Sequence, residues 1–590
     1  MHLKNNFLLL LLLVATLRSQ TLPGTADQNT PTFQSSASVV LVDVIVTDNH
    51  GDPVTGLKNT DFQLFEDGKL QTITSFDQHG AGQIKTSESA PLPAGVVTNS
   101  PSVISADSVD VLLIDGLNTS SLDQSFLHAQ ILKYLRTIPP GARVAVFTLT
   151  TRLRMLQEFT TDSSALLAAV NSKGPFSSPL SQSEAEQQSQ QQTTNFMEAN
   201  RPGPPPEERN GMALDPTDVL QQIFAETTVQ LSEARVRITL QALQDMARYL
   251  AAFPGRKNVL WVSGSFPIVF LPVSDLPDPF MSLASFQDDI AQTANLLTDA
   301  RVAIYPIAAQ GLAGSATYQA NGMEISQLRI RPDGMSDQLK QEALQTQAVH
   351  QSMEELAKDT GGQAFYNTNG IGEALTRVTN SSADFYTLSY TPTNRKTDGK
   401  YRHISVKLAA EKEKLSYRRG YFAVSNGGSN KTQDADPLVS VLTFGMPDIS
   451  QIVYKASVAP VPRQPGDAKT ESAGEAKNPV VIYNLDLEIF PDQLQFEVTP
   501  DGIHHGKIEM KLVAYDGTGK ALNLVGGSFG LTFKPDRFEK MRRAGIQFRE
   551  QIAVPSAGDV RFYSGICDLN SGRIGTLSLR TASQKPSADK

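Results

Sequence analysis

Apolar residues along this chain repeat at two different periods, and the change of period divides it. The stretch Val39-Val40-Leu41-Val42-Asp43-Val44-Ile45-Val46-Thr47 is rich in β-branched residues and ends in Asp48-Asn49-His50-Gly51-Asp52-Pro53, which predicts a strand running into a turn. Phe62, Leu64 and Phe65 then lead into Glu66-Asp67-Gly68-Lys69, with Ile73 and Phe76 beyond it, a hairpin pattern around a glycine turn. Residues 37–80 therefore read as a β segment. It is too small to bury both faces of its own strands and needs partners from elsewhere in the chain.

From Asp110 the pattern alternates between strands and helices. Short apolar runs at Val111–Ile114, Arg143–Leu149, Asn258–Val262 and Val302–Ile307 are separated by helical spacing over Gln124–Leu135, Ser163–Val170, Thr217–Phe253 and Asp288–Ala300. A last helix over Ser352–Lys358 stops at Gly361-Gly362, followed by the strand Gln363–Tyr366 and a helix over Gly372–Val378. Repeated βα units of this kind predict a mostly parallel sheet covered on both faces. This body runs from 105 to 383. Within it, residues 177–211 carry six Gln between Gln182 and Gln192 and then Pro202, Pro204, Pro205 and Pro206, a composition that predicts a disordered insertion.

Period two returns after Asp384, at Phe385–Tyr390, His403–Leu408, Leu415–Tyr417 and Gly420–Phe422. Residues 384–424 can thus supply what 37–80 lacks, completing one sandwich around the α/β body. Residues 425–478 read as a linker-rich region. Residues 479–582 predict strands at Val480–Phe490, Lys507–Tyr515, Leu522–Leu531, Phe548–Val554, Val560–Cys567 and Ile574–Leu579, a second sandwich. The expected fold class is an α/β doubly wound, Rossmann-like domain inserted in or flanked by a β-sandwich, plus a C-terminal β-sandwich.

Length and charge narrow the function. At 590 residues the chain has room for several cores, and its net charge of −9, without a block of Lys and Arg, provides no footprint for a nucleic-acid backbone. One cysteine, Cys567, excludes an intramolecular disulfide framework and a cysteine-based zinc site. The basic start Met1-His2-Leu3-Lys4, the apolar run Phe7–Leu17 and the small residues Gly24-Thr25-Ala26 form a signal-peptide pattern over residues 1–26, with a linker at 27–36. An uncleaved anchor is the alternative. With the signal removed no membrane span remains, and the expected location is extracytoplasmic, periplasmic or secreted.

In a doubly wound sheet the ligand site lies at the carboxyl ends of the strands where strand order reverses. The residues expected there are Asp115-Gly116-Leu117-Asn118-Thr119-Ser120 and Ser263-Gly264-Ser265. Here the chain resembles the von Willebrand factor A domains, most closely the secreted von Willebrand factor A-related proteins of acidobacteria. The resemblance rests on Val111-Leu112-Leu113-Ile114-Asp115, on Pro254 through Gly264, on Arg301 through Ile307, and on Leu356 through Gly362. Flanking segments such as Asp61–Lys69 and Gly399–Ile404 extend it over residues 36–424.

Many domains of that family hold Mg²⁺ with Asp-x-Ser-x-Ser, a loop Thr and a later Asp. The resemblance aligns Asp115 with the first ligand, but Leu117 replaces the first Ser, Thr119 the second, Thr239 stands for the loop Thr, and Ser263 or Gly264 replaces the last Asp. It implies a degenerate metal site with weak or no binding of Mg²⁺ or another divalent cation, and no other cofactor. Three readings of Asp115 stand side by side: a helix-capping residue, part of a metal-free contact face with Asn118, Thr119 and Ser263, or a cation ligand with Thr119 and Thr239.

Other constellations have plainer readings. His504-His505 falls in an expected turn, Trp261 in the core, and Cys567 in a buried strand. The Ser263-Gly264-Ser265 run lacks the glycine that a G-x-S-x-G elbow places before its serine, and no phosphate loop or H-E-x-x-H pattern occurs. The resulting expectation is a non-enzymatic, adhesion-type protein that binds unidentified protein partners through the strand-end face. A structural or assembly component of the cell envelope and an enzyme with an unrecognised site are the alternatives.

Overall fold

The Val109–Ile114 run is buried at every position, and its side chains alternate between two different cores, as a strand covered on both faces requires. The computed structural model describes residues 39–80, 85–86, 92–100, 104–105, 108–171, 178, 180, 216–265, 286–309, 334–366, 370–409, 412–423, 436–461, 480–556 and 558–580. The signal-peptide stretch, the linker 27–36 and all of the insertion 177–211 except residues 178 and 180 lie outside them.

The α/β body is a sheet ordered Leu153–Thr160, Val144–Leu149, Ser108–Asp115, Arg256–Ser263, Val302–Ala308. Four of these strands are parallel, and Leu153–Thr160 is an antiparallel edge that the strand-helix alternation did not reveal. Phe365 continues the sheet in parallel beside Ile307. Strand order reverses between Ser108–Asp115 and Arg256–Ser263, so their carboxyl ends, Asp115 and Ser263, meet at the crevice where doubly wound sheets bind ligands.

Leu112 and Ile114 face helices Ser121–Arg136 and Ile371–Ser381 through Leu127, Ile131, Leu135, Leu375 and Val378. Val111, Leu113 and Trp261 face the opposite way, onto Leu243, Met246 and Leu250 of the long helix Pro216–Leu250. Each such large side chain taken from water contributes about 1.5–3 kcal/mol, which is what ties a chain without disulfides together. Helix Gly334–Thr360 begins well upstream of the expected Ser352. At its end Gly361 has φ +81°, and a Cβ on Gly362 would lie 1.9 Å from Ile304 O, so only glycine lets the chain turn back against Val302–Ala308.

The flanking strands cross the α/β body in sequence. Val40–Thr47 pairs antiparallel with Phe385–Tyr390 and with Lys414–Ser416, and Phe62–Glu66 pairs with Tyr401–Leu408. The two four-stranded sheets they build enclose Val42, Val44, Leu64, Leu388, Tyr390 and Val406.

Two expectations need correction. Residues 425–478 read as a linker-rich region, yet within it Pro437–Val441 is a helix and Tyr454–Pro460 a strand. Leu438, Val441, Leu442 and Met446 fall in one continuous core with the α/β sheet and with Tyr515 and Tyr563. The apolar spacing of this stretch outweighs the polar residues on both sides of it. The Tyr454–Pro460 strand also pairs with Val96–Thr98, so the C-terminal β layers include a strand from before the α/β body. His504 and His505 begin the strand His504–Asp516 and do not lie in a turn. His504 stacks on Phe538 at 3.8 Å, while His505 is exposed.

Candidate functional site

At the switch point the chain brings together Asp115, Asn118, Thr119, Thr239 and Ser263, all buried. Asp115 ends its strand, and the loop after it is tied back to the neighbouring strand by Gly116 N and Leu117 N, which both donate to Leu149 O. Its Oδ1 accepts from Leu117 N at 3.0 Å and Asn118 N at 2.9 Å. Its Oδ2 accepts from Asn118 Nδ2 at 2.8 Å and Trp261 Nε1 at 3.0 Å, with Ser263 Oγ at 2.8 Å. Ser263 Oγ also lies 2.6 Å from Ser265 O, so its single proton serves one of these two acceptors. Four N–H groups and one hydroxyl thus surround a carboxylate with about four lone-pair directions.

The remaining polar groups of the crevice are engaged as well. Asn118 Nδ2 also reaches Thr239 Oγ1 at 3.1 Å, and Thr239 Oγ1 donates to Arg235 O one turn earlier. Thr119 Oγ1 accepts from Gly264 N at 2.9 Å. A Cβ on Gly264 would lie 3.0 Å from Asn118 O and from Thr119 Cα, so a side chain there would force the two loops apart. Burial pushes the Asp115 carboxyl above its ordinary range, and the hydrogen bonds from Asn118, Ser263 and Trp261 pull against it. The Arg235 guanidinium feels the charge of Asp115.

This donor set does not fit a divalent cation. A hard cation asks for six or more oxygens, whereas N–H groups occupy the Asp115 oxygens and Thr119 already accepts a backbone N–H. Asn118 Oδ1 is buried with no partner among the described residues, but it is a single oxygen. Among the described residues no group of three or more His, Cys, Asp or Glu could hold a metal.

The capping reading of Asp115 also needs correction. Ser120 is the N-cap of Ser121–Arg136, accepting from Asp123 N at 3.3 Å, while Asp115 holds N–H groups of the loop before the helix. As for the contact-face reading, the side chains of Asp115, Asn118, Thr119 and Ser263 are enclosed, and Ser120 and Ser265 are their half-buried neighbours toward solvent. Trp261 was legible only as core. Its place two residues before Ser263 on one strand puts both side chains on the same face, and that spacing was the available clue. Gly264, which admits the second loop, carried no such signal.

No known family profile matches the chain, and no curated protein matches it. Solved structures to which it is similar include a von Willebrand factor type A protein from Catenulispora acidiphila, at 9% identity and a TM-score of 0.22, covering 88% of this chain and 75% of that one. The pilus adhesin SpaC from Lactobacillus rhamnosus GG matches at 8% identity and a TM-score of 0.25, covering 91% of this chain and 58% of that one. Proximal thread matrix protein 1 from the mussel byssus matches at 10% identity and a TM-score of 0.22, covering 47% of this chain. The match spans 48% of the mussel protein, about half its length. At such identities and scores the site must be argued from this chain's own residues.

Proposed function

We propose that this chain is a non-catalytic protein-binding protein of the secreted von Willebrand factor A-related type, acting outside the cytoplasm through the strand-end face of its α/β body. The observation that supports this reading is the Asp115 cluster at the point of strand reversal. It holds the loops 115–120 and 263–265 in one shape, and its one hydroxyl–carboxylate pair, Ser263 and Asp115, is fully buried and spent on holding those loops. In this reading Asp115, Asn118, Thr119, Thr239 and Ser263 are positioning residues, and Mg²⁺ is not required. A partner would touch the rim around Ser120 and Ser265.

One observation favours a second reading, a rigid structural element of the cell envelope. A single apolar core runs from the α/β sheet through Leu438 and Leu442 to Tyr515 and Tyr563, joining the α/β body to the C-terminal layers. Tagged full-length chain, captured with its cross-linked partners from the extracytoplasmic fraction, separates the two. Strand-end binding predicts that Ser265→Arg loses partners that Leu70→Arg, on an exposed strand of the first sandwich, retains. Loss with Leu70→Arg alone favours the structural role and contradicts the strand-end contact.

A further inference from the structure

At the other end of the parallel strands, the first sandwich meets the α/β body along a seam unusually rich in positive charge. A cavity of about 20 Å³ opens there, lined by Leu41, Asp43, Arg256, Thr298, Arg301 and Arg418 among others. Three guanidinium groups and one carboxylate face it. Asp43 is already engaged, accepting from Arg301 Nε at 3.0 Å and from Thr387 Oγ1 at 2.8 Å. Arg301 has a backbone φ of +55°, a conformation rare outside glycine that this pairing helps to hold.

The hydrogen bonds of the other two cations go to neutral groups. Arg256, only 3% exposed, donates to Gly361 O at 2.7 Å, and Arg418 donates through Nη2 to Leu41 O at 2.6 Å. Arg256 also donates to Asn258 Oδ1 at 3.1 Å and Tyr305 Oη at 3.2 Å, and Arg418 lies over the Tyr421 ring. Lys257 adjoins them, its Nζ on Ala300 O at 2.9 Å. Burial, and after it the Arg301 charge, push its ammonium down to about 7, while Asp43 pulls the other way. Asp299 faces Arg418 as a second counter-charge, its carboxyl raised by burial. Arg418 Nε is buried with no acceptor among the described residues. A buried guanidinium donor left unmatched costs on the order of a lost charged hydrogen bond.

We propose that this seam binds a small monovalent anion of chloride size, held by Arg418 and Arg256 between the first sandwich and the amino ends of the parallel strands. A water molecule could accept from Arg418 Nε but would leave three guanidiniums facing two carboxylates, Asp43 and Asp299. The anion would join the two bodies by completing an alternation of charge: Arg301 on Asp43, then Arg256 and Arg418 on the bound ion. This inference is independent of the strand-end reading.

The test is thermal unfolding of the full chain as sodium chloride replaces sodium gluconate at constant ionic strength. The expected result is a saturable rise in Tm of about 2–4 °C for the native chain, at least halved in Arg418→Met. A rise equal in both proteins, or none in the native chain, overturns the proposal and leaves water as the guest. Should Arg418→Met fail to fold, bromide-soaked crystals of the native chain decide. An anomalous peak beside Arg418 Nε and Arg256 is expected, and no peak there refutes the site.

Discussion

The two ends of one parallel sheet solve the burial of polar groups in opposite ways. At the carboxyl ends a single carboxylate, Asp115, sits among backbone N–H groups, an amide, an indole and a hydroxyl. At the amino ends Arg256, Lys257 and Arg301 are packed against Asp43, two helix-end carbonyls and the first sandwich. The first arrangement is local, drawn mainly from two loops, and it closes a crevice. The second is assembled from residues far apart in the chain and joins two bodies. A buried charge surrounded by dipoles fixes loop shape, whereas a buried charge paired across a seam fixes how bodies dock.

Removing the central group of each network gives the largest expected effects. Asp115→Ala removes one acceptor from four N–H groups, two of which keep Leu149 O or Thr239 Oγ1, and should cost on the order of 3–5 kcal/mol in chemical unfolding. Asp115→Asn keeps one acceptor and should cost less. If Asp115→Ala were as stable as the native chain, Asp115 would not be the centre of the crevice. Arg301→Ala removes the partner of buried Asp43, whose pKa lies below its ordinary value: burial pushes it up, but the hydrogen bonds and charge of Arg301 outweigh that. The loss should be about 2–4 kcal/mol, and it should fall in Asp43→Asn/Arg301→Ala, where no unpaired carboxylate remains. Additive losses in that cycle would show that the pair does not couple the bodies.

A smaller and more specific effect comes from Asp110, at the amino end of the strand that Asp115 terminates. Asp110 is 5% exposed, and burial lifts its carboxyl to about 6, against the hydrogen bonds from Asn258 and Thr379. The folded state therefore holds a proton that the unfolded chain, with an ordinary value of 3.8, has already released. The stabilisation is complete below about pH 4 and is lost as pH rises through 6, on the order of 1–3 kcal/mol. Asp110→Asn should flatten the stability profile between pH 4 and 6. An unchanged slope would remove Asp110 as its source.

How much of this was legible in the sequence follows the same contrast. The parallel strands stood out because a strand buried on both faces is apolar throughout, as at Val111–Ile114. The Asp115 loop stood out because it directly follows such a run. The Trp261 bond to Asp115 did not, since an indole at a core position reads as bulk until the neighbouring strand is placed. Leu153–Thr160 was missed because an edge strand is only partly buried and its apolar signal is weak. The amino-end seam was the least visible. Asp43, Arg256, Arg301 and Arg418 are scattered over 376 positions, and only the pairing of Val40–Thr47 with Lys414–Ser416 brings Arg418 to Leu41. Val96–Thr98 was unassigned for the same reason, because its partner strand lies more than 350 residues away.

The central claim is that Asp115 is a hydrogen-bonded positioning residue and not a cation ligand. Calorimetric titration of the folded full chain with Mg²⁺ and Mn²⁺ tests it most directly, with Asp115→Asn as the control. The account predicts no saturable heat into the millimolar range for either protein. Micromolar binding in the native chain, lost in a folded Asp115→Asn, would contradict it.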